Sequence, residues 1–333
     1  MKFFITGVNG FIGSNLAKNL VETNHEVRGL ILEGTDESDI EEIAEKIEKV
    51  YGDITIPDSI QSYFEGIDVV VHLAARASDW GPEKLFQKIN VEGSKNVLTA
   101  AINAGVKRFI FMSSLAVHGF KGFQNADEQT PYDPYNAYAR SKVAVEVLLN
   151  DAFDQGKIEI VIVRPGFAIF GPHDRLDSFI FYGRIKKGKS LPVVKKGKPL
   201  LCYSYVENLA DGLILVATHP KAAGQTYIIS DGPIISNREY FEHVFAGCGK
   251  EPKITSIPYS LAITGATIYG AFCKLIRKTS RPLISRYIVK VGATDLGYTN
   301  EKIVRELGYQ AKIGIEEGFK RTYAWYKEEK ERK

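Results

Sequence analysis

The sequence contains little cysteine, and its three residues of this type are Cys202, Cys248 and Cys273. They lie far apart, and none forms a CxxC pair or stands beside a histidine at the spacing of metal ligands. This pattern argues against a disulfide framework and against zinc, so we predict no metal site. Thiols of this kind are typical of a reducing compartment, and we therefore expect a cytoplasmic protein.

An excess of charge of one sign is also missing. The 333 residues include 43 basic and 40 acidic side chains, and the net charge of +3 has no long block apart from the final "KEEKERK". Domains that bind nucleic acid usually carry a basic patch or stripe. The near balance therefore makes nucleic acid an unexpected partner.

Long hydrophobic runs are few. The N-terminal "MKFFITGVNG" has too short an apolar run for a signal peptide and leads directly into a glycine-rich turn. Residues 257–276, "IPYSLAITGATIYGAFCKLI", approach the ~20 residues that span a bilayer. Their Ser, Thr and Gly content and the following Arg277 and Lys278 fit a helix at an apolar pocket or a peripheral membrane contact better than a span. An internal helix of a substrate lobe explains the same pattern.

Short apolar strands alternate with helical segments in the first half of the chain. The runs "KFFIT", "EVRGLI", "DVVVHLA", "RFIFMS" and "IEIVIV" are separated by helical periodicity at 12–23, 84–104 and 136–154. Continuous apolar strands are buried on both faces, which predicts an α/β fold with a parallel, doubly wound sheet of the Rossmann type.

The alternation of strands and helices changes near residue 165. Strands become scarce and helical segments dominate, at 206–218, 236–247, 260–278 and 315–328. We therefore predict a dinucleotide-binding domain over residues 1–165 and a smaller, mostly helical C-terminal substrate lobe over 166–333. Some segments of that lobe are expected to return to the first domain.

A glycine-rich turn, "ITGVNGFIGSNLAKNL", follows the first strand and opens a helix. Gly7 allows a tight turn, Gly10 lets a pyrophosphate approach the backbone, and Gly13 lets the helix pack close to the sheet. Phe11 and Ile12 complete the turn, and the helix N-terminus offers free N–H groups to phosphates. The stretch predicts a dinucleotide cofactor.

The end of the second strand usually distinguishes NAD from NADP, because a carboxylate binds the ribose hydroxyls and an arginine accepts the extra phosphate. Here Ile31 and Leu32 occupy the expected positions, so neither signature is present. The next residues include the acidic side chains Glu33, Asp36, Glu37 and Asp39. They would repel a dianionic phosphate, although Arg28 weakens this inference. We predict NAD and leave NADP open.

The stretch "PYDPYNAYARSK" contains three tyrosines and one lysine, at the start of a predicted helix over 136–150. Tyr138 and Lys142 are four positions apart on one helix face, whereas Tyr135 and Tyr132 are seven and ten positions from the lysine. A neighbouring ammonium group lowers the pKa of a phenol from ~10. We therefore predict that Lys142 makes Tyr138 a usable general acid or base.

The strand "RFIFMSS" ends in Ser113 and Ser114, at the edge of such a sheet that faces the cofactor. Ser114 precedes Tyr138 by 24 residues and can hydrogen-bond the same substrate oxygen. Tyr and Lys also occur at this spacing on ordinary surface helices, so the pair alone does not establish a function. Together with a nicotinamide-binding fold, Ser, Tyr and Lys predict redox chemistry between an alcohol and a carbonyl.

These motifs resemble an extended short-chain dehydrogenase/reductase over nearly the whole chain. "TGVNGFIG" is similar to the family's TGxxGxxG, "YARSK" to its YxxxK and "SSLAVHG" to its serine segment. The resemblance implies that Ser114, Tyr138 and Lys142 are catalytic. His118 stands where most members have tyrosine, and we assign it no role.

The resemblance also implies contacts with the cofactor. "GDI" is similar to the adenine-contacting segment, "HLAA" to the loop over the cofactor, and "RPGFAIFGP" to the segment that borders the nicotinamide. The implied cofactor-binding residues beyond the glycine turn are Glu33, Asp53, Ile54, Leu73, Ala74, Ala75, Asn90, Tyr138, Lys142 and Pro165.

Within the family, "AARASDWGP" and "RPLISRY" resemble the 3β-hydroxysteroid dehydrogenase and dihydroflavonol reductase branch. Nucleotide-sugar epimerases are the closest competitor, and those of the UDP-galactose type commonly carry Asn where Phe167 stands here. Arg76, Trp80 and Phe167 are candidate substrate residues, although surface packing explains the first two equally well. His72 and Glu128 are interpreted as structural.

We therefore predict an NAD(P)-dependent oxidoreductase that interconverts a secondary alcohol and a ketone on a fairly apolar small molecule. The first alternative is a nucleotide-sugar epimerase or dehydratase that holds NAD tightly. A non-catalytic dinucleotide sensor ranks last, because such proteins often lose the Tyr or the Lys. A homodimer through 90–104 and 136–152 is an expectation from the family alone.

Overall fold

A computed structural model describes residues 1–331 of the chain. In chain order its strands are β1 Lys2–Thr6, β2 Glu26–Ile31, β3 Glu48–Tyr51, β4 Val69–His72, β5 Arg108–Met112, β6 Phe123–Ala126, β7 Glu159–Pro165, β8 Ala168–Phe170, β9 Leu191–Val194, β10 Leu200–Leu201, β11 Tyr203–Tyr205, β12 Gln225–Ile229, β13 Ile235–Ser236, β14 Ile254–Ile257 and β15 Leu296–Tyr298. Its α-helices are α1 Phe11–Glu22, α2 Glu83–Phe86, α3 Gly93–Asn103, α4 Ala137–Asp154, α5 Asp177–Lys186, α6 Val206–Thr218, α7 Asn237–Gly247, α8 Tyr259–Leu275, α9 Arg286–Ala293, α10 Glu301–Leu307 and α11 Ile315–Glu331.

The main sheet has seven parallel strands in the order β12-β7-β5-β4-β1-β2-β3. All residues of β4 and β5 are buried, which explains why these strands read as continuous apolar runs without alternation. The predicted parallel, doubly wound sheet is confirmed. Because the strands are parallel, their carboxyl ends meet at one edge, where ligands bind in such sheets.

Helices cover both faces of this sheet. On one face α1 and α6 pack on the sheet through apolar residues that include Leu16, Leu20, Leu209 and Leu213. On the other face the contacts come from α3 and α4, among them Val97, Ala101, Val145 and Leu149. A π-helical stretch, Gln87–Glu92, joins α2 to α3, so the predicted helix over 84–104 is continuous but not α-helical throughout.

The second half of the chain contributes an edge strand to the main sheet. β12 pairs in parallel with β7, and its helix partner α6 packs against α1. On the outer side of β12, Glu128 Oε1 accepts a hydrogen bond from the Ile228 N–H over 2.8 Å. Glu128 therefore caps an edge strand, in agreement with its interpretation as structural.

The remaining C-terminal elements form a lobe with an aromatic core. Phe170, Tyr182, Tyr205, Tyr240, Phe245 and Phe319 are buried together between α5, α7 and α11. Helices dominate the lobe, as predicted, but it also contains the short strands β8–β11 and β13–β15, which the sequence pattern did not reveal. Strands of two to four residues are too short to show a period, so only their pairing partners identify them.

The two parts of the chain are interleaved. β6 comes from the first 165 residues, yet it pairs with β15 in the small sheet β13-β10-β15-β6 of the lobe. α8 lies at the surface of the lobe. Across residues 1–331, every helix is too short or too polar to cross a bilayer.

Candidate active site

The glycine-rich turn joins β1 to α1 at the carboxyl edge of the sheet. Gly7 has φ +72°, and a Cβ there would lie 3.2 Å from Cα of Ala74. A Cβ on Gly13 would lie 2.2 Å from the carbonyl oxygen of Gly7, so α1 could not begin this close to the strand with a larger residue. Gly10 is the N-cap of α1 and has no side chain to cover the first N–H groups. The turn therefore leaves a backbone cradle that fits a pyrophosphate.

The loop after β4 is fastened to this turn through a buried threonine. Thr6 Oγ1 accepts hydrogen bonds from the N–H groups of Leu73 and Ala74, each over 3.1 Å. The same oxygen lies 2.7 Å from Nδ1 of His72, whose Nε2 lies 2.8 Å from Ser94 Oγ. Burial lowers the pKa of His72 to about 3. His72 is thus a neutral bridge between strand and helix, consistent with its structural interpretation.

Asn90 is buried and braces the same loop against α4. Its Oδ1 accepts a hydrogen bond from the Arg76 N–H over 2.8 Å, and its Nδ2 donates to Ser141 Oγ over 2.8 Å. Ser141 in turn donates to the carbonyl oxygen of Tyr138 over 2.7 Å. These bonds give Asn90 a positioning role, whereas its contact with a cofactor stays a prediction.

The predicted adenosine end lies beyond β2 and β3. Asn9 Nδ2 donates to Thr35 Oγ1 and to the carbonyl oxygen of Asp36, each over 2.8 Å, which fixes the acidic loop beside the glycine turn. Glu33 is exposed in this loop. Asp53 follows β3, where its Oδ1 accepts a hydrogen bond from the Thr55 N–H over 2.8 Å.

Two further predicted contacts are buried. A Cβ on Gly93 would come within 2.8 Å of Ile54 Cδ1, so α3 packs directly on Ile54. Pro165 ends β7 at the carboxyl edge, opposite Ile229 of β12. Pro165 and the glycine turn therefore lie at the same edge of the sheet.

The three predicted catalytic residues meet where β5 ends and α4 begins. Ser114 comes two residues after the end of β5, close enough to Tyr138 to lower the pKa of its phenol in part. Lys142 lies one turn after Tyr138 on α4, with its Nζ 5.8 Å from the centre of the tyrosine ring. The same Nζ donates to the carbonyl oxygen of Met112 over 2.7 Å. The sequence analysis grouped Ser114, Tyr138 and Lys142 in one site, and the structure places these three side chains near each other.

The structure does not show the predicted lowering of the Tyr138 pKa by Lys142. Burial raises the pKa of Tyr138 to about 12, and the nearby Ser114 lowers it only in part. Burial also lowers the pKa of Lys142 to about 7, while the nearby Glu146 raises it. The sequence showed the spacing of the two side chains but not their desolvation, which disfavours the charged form of both. Tyr138 is consequently a neutral phenol near pH 7.

The other two tyrosines of the same stretch have different surroundings. Tyr132 donates to Glu146 Oε2 over 2.7 Å, and burial raises its pKa to about 12. Tyr135 is exposed and packs edge-on against Phe120 at 5.3 Å between ring centres. Within residues 1–331, Ser114 affects the pKa of Tyr138 and is not among the causes of the shift at Tyr132.

A buried ion pair that the sequence analysis missed supports the site from behind. Glu146 on α4 and Arg164 on β7 approach to 2.5 Å, and both side chains are almost fully buried. Ser113 Oγ also donates to Glu146. Arg164 Nη1 contacts Nε2 of His118 at 3.1 Å, which gives this histidine a structural environment. An arginine inside an apolar strand was the available signal, because a buried charge requires a partner.

A segment of the C-terminal lobe, which we call the cover, is fixed to the loop that carries Asp79 and Trp80. Trp80 Nε1 donates to the carbonyl oxygen of Lys278 over 2.9 Å. Asp79, whose side chain is almost fully buried, forms an ion pair with Arg281 at 2.7 Å and accepts a hydrogen bond from Ser285 Oγ. These contacts join residues about 200 positions apart, and no local pattern in the sequence could have revealed them.

An aromatic side chain from this cover lies near the predicted catalytic tyrosine. Burial raises the pKa of Tyr287 on α9, and the nearby Tyr138 adds to this shift. Tyr287 also packs edge-on against Phe120 at 5.5 Å. The predicted substrate residue Phe167 is half-buried against Leu115 and its neighbours. Arg76 donates to the carbonyl oxygen of Trp80 over 3.1 Å, so this arginine supports the loop that carries the tryptophan.

Comparisons with known proteins show which sequences and structures this chain resembles. A family model described as the NAD dependent epimerase/dehydratase family matches residues 3–230. A 3beta-hydroxysteroid-dehydrogenase/decarboxylase isoform 1 of Arabidopsis thaliana is 30% identical over 326 residues, which cover 93% of this chain and 72% of that protein. A 2-alkyl-3-oxoalkanoate reductase of Stenotrophomonas maltophilia is 30% identical over 346 residues, which cover 97% and 99% of the two chains.

Among solved structures, the epimerase Mth375 of Methanothermobacter thermautotrophicus superimposes with a TM-score of 0.81 at 25% identity. The match covers 99% of this chain and 93% of that one. Reductases, dehydrogenases and epimerases are thus all similar to this chain, and the resemblance by itself does not choose between them.

Proposed function

The chain belongs to the NAD dependent epimerase/dehydratase family, the extended short-chain type, and we propose that it interconverts a secondary alcohol and a ketone on a fairly apolar small molecule. The observation that carries the proposal is the meeting of Ser114, Tyr138 and Lys142 beneath an aromatic cover. Enzymes of this family use NAD, in agreement with the prediction from the sequence.

The residues around the carboxyl edge suit NAD. The cradle of Gly7, Gly10 and Gly13 would take the pyrophosphate, with Asp53 and Ile54 towards the adenine and Pro165 towards the nicotinamide. The loop of Leu73, Ala74 and Ala75 would lie over the dinucleotide, and Lys142 and Tyr138 would touch its nicotinamide ribose. When bound, the dinucleotide supplies or accepts the hydride of the redox reaction.

The side chains of the protein handle the proton. In the reduction, the neutral phenol of Tyr138 donates its proton to the ketone oxygen, and Ser114 holds that oxygen by a hydrogen bond. In the oxidation, the phenolate takes the proton of the alcohol. Lys142 supports the phenolate by its charge when protonated, and its bond to the Met112 carbonyl keeps α4 against β5.

The apolar substrate is inferred from the cover and from the relatives. Tyr287 and Phe120 bring aromatic surface to the mouth of the site, and the acidic side chain of Asp79 is paired with Arg281. The names of two relatives specify a steroid and an alkyl-substituted 3-oxo acid. Both are molecules with a ketone or secondary alcohol on a large apolar body.

An epimerase or dehydratase acting on a nucleotide sugar is the second candidate, and the similarity to epimerase Mth375 favours it. Phe167 argues against it, because this position commonly carries Asn in enzymes for UDP-galactose. Here the side chain packs into an apolar cluster with Cys202 and Ile228. A cytoplasmic location and a homodimer through 90–104 and 136–152 are also part of our proposal.

The test compares substrates of the two classes. Purified protein is incubated with NADH and either a 3-oxo steroid or a 2-alkyl-3-oxo acid, and with NAD and UDP-glucose. We expect oxidation of NADH with at least one of the ketones and no conversion of the sugar. Epimerisation of UDP-glucose without net change in NADH, together with inert ketones, would refute the proposal in favour of the second candidate.

A further inference from the structure

α8 is an apolar helix whose side chains are mostly exposed. Within residues 1–331 its buried side chains are Ala266 and Cys273, out of 17 residues. Leu261, Ile268, Phe272 and Leu275 are 65%, 66%, 54% and 80% exposed. Large apolar side chains this open are unusual when they occur together on a monomer, and they mark an interaction site.

The exposed apolar surface continues beyond the helix. Ile276, Leu283 and Ile284 are more than half exposed in the segment that leads from α8 to α9. α8 itself is fixed to the lobe through Ala266, which packs with Val289 and Ala293 of α9. We call the exposed apolar residues between 261 and 284 the α8 surface.

The chain segment that contains α8 carries charge of one sign. Residues 252–294 contain no acidic side chain, while the basic ones are Lys253, Lys274, Arg277, Lys278, Arg281, Arg286 and Lys290. Arg281 is paired with Asp79, but Lys274 and Arg277 are exposed at the C-terminal end of the helix. At the other end, Lys195 Nζ lies 5.8 Å from the ring centre of Tyr259, beside the exposed Lys196. The helix is therefore apolar along its length and basic at both ends.

We propose that the α8 surface docks on an anionic lipid membrane. A helix that lies in the membrane interface buries its apolar face at the boundary of the headgroups, and anionic lipids attract basic residues beside it. A second copy of this chain fits less well. Because both ends of α8 are basic, parallel and antiparallel pairing of two copies would each bring like charges together.

The docked surface is linked directly to the cover of the candidate active site. Lys278, immediately after the exposed residues of α8, accepts the hydrogen bond from Trp80, and Arg281 binds Asp79. Docking would therefore place the cover of the site at the lipid. The consequence that an apolar substrate enters from the membrane rests on the proposed function, whereas docking itself does not.

Binding to vesicles tests the docking without any turnover. The full chain is sedimented with vesicles of phosphatidylcholine alone and with vesicles in which part of the lipid is phosphatidylglycerol. We expect at least about tenfold stronger binding to the anionic vesicles, and weaker binding as salt concentration rises. Failure of the chain to bind anionic vesicles would overturn the docking and leave the proposed redox activity untouched.

Two sets of variants locate the contact. Ile268→Asp with Phe272→Asp should reduce binding about tenfold or more, whereas Val304→Asp, on the exposed side of α10, should not. Lys274→Glu with Lys278→Glu should weaken binding to a similar degree. Its matched control is Lys107→Glu with Lys157→Glu, which makes the same change of charge before β5 and β7, at the other edge of the sheet.

Two further measurements distinguish membrane docking from a loss of folding and from dimer formation. Retained NAD binding by each variant shows that the fold is intact, because none of the changed residues belongs to the glycine turn or the catalytic set. Light scattering gives the mass in the absence of lipid. A dimer that Ile268→Asp with Phe272→Asp converts to a monomer would identify a second copy as the occupant and overturn the proposal.

Discussion

Lys142 Nζ donates a hydrogen bond to the carbonyl oxygen of Met112 over 2.7 Å, which ties the helix that carries Tyr138 to the strand that delivers Ser114. Lys142 thus has a structural role that does not depend on a cofactor. Its second neighbour is the ring of Phe111, 4.6 Å away, so the amine is surrounded by protein. This burial explains why its pKa falls to about 7.

Tyr138→Phe should remove the proton donor and keep the shape of the site. We expect kcat to fall by ~10²–10⁴-fold while the Kd for NAD changes little, because general acid–base catalysis contributes a factor of this size. Tyr135→Phe is the matched control, since Tyr135 is exposed and should retain nearly full kcat. A Tyr138→Phe enzyme with unchanged kcat would exclude the proposed proton transfer.

Gly13→Ala should prevent the close start of α1. The added Cβ would lie 2.2 Å from the carbonyl oxygen of Gly7, so the turn must shift, at a cost of about 1–3 kcal/mol in the free energy of unfolding and a weaker affinity for NAD. Gly265→Ala, in the exposed part of α8 where no described atom lies within 4 Å of the new Cβ, should stabilise by about 0.5–1 kcal/mol. Urea unfolding and NAD titration measure both. Equal behaviour of the two variants would contradict this account of the turn.

Arg164→Met should leave Glu146 charged and without its partner in the interior. Removing one member of a buried ion pair costs about 3–5 kcal/mol in the free energy of unfolding. Arg238→Met breaks the exposed pair with Glu242 and should cost less than about 1 kcal/mol. Urea denaturation of the three proteins tests the contrast. Similar costs for the two variants would mean that the buried pair contributes no more than a surface one.

Asp231 should make the protein less stable as the pH rises. Burial raises the pKa of Asp231 to about 7, although hydrogen bonds from Asn208 and from the Tyr205 N–H lower it. The folded state therefore holds the proton more firmly than the unfolded state, whose pKa is near ~3.9. The contribution of Asp231 to the free energy of unfolding is therefore complete below about pH 4, and it is lost as the pH rises to about 7.

Asp231→Asn keeps the acceptor oxygen and removes the titration. We expect the Tm of this variant to fall less than that of the original protein between pH 5 and pH 8, by a difference of a few degrees. Calorimetry at the two pH values measures it. Identical pH dependence of the two Tm values would show that this carboxyl group does not titrate in the predicted range.

Glu33→Arg should weaken the preference for NAD over NADP. Glu33 is exposed at the start of the acidic loop, and exchanging its charge replaces repulsion of the extra phosphate by attraction. We expect the ratio of the two KM values to change about tenfold, which corresponds to about 1.4 kcal/mol. Glu45→Arg, on an exposed turn further from β2, makes the same charge change and should leave the ratio nearly constant. A ratio that moves equally in both variants would assign the effect to net charge alone.

Local patterns in the sequence were sufficient for the frame of the site. The glycine turn, the helix from residue 137 and the four-residue spacing of Tyr138 and Lys142 all depend on neighbours a few positions apart, which a period or a motif records. The continuous apolar runs are also local patterns, and they were sufficient to predict the parallel sheet. Once the sheet is parallel, Ser114 must emerge at the edge where the glycine turn lies.

Only the tertiary structure determined the surroundings of the candidate active site. The short strands of the lobe, the pairing of Glu146 with Arg164 and the cover held by Asp79 and Arg281 all join residues distant in the chain. The protonation of Tyr138 and Lys142 was also decided there, because desolvation depends on how many atoms from several elements enclose a group. A sequence records which side chains are near each other along one helix, and only the folded chain determines how much water is left around them.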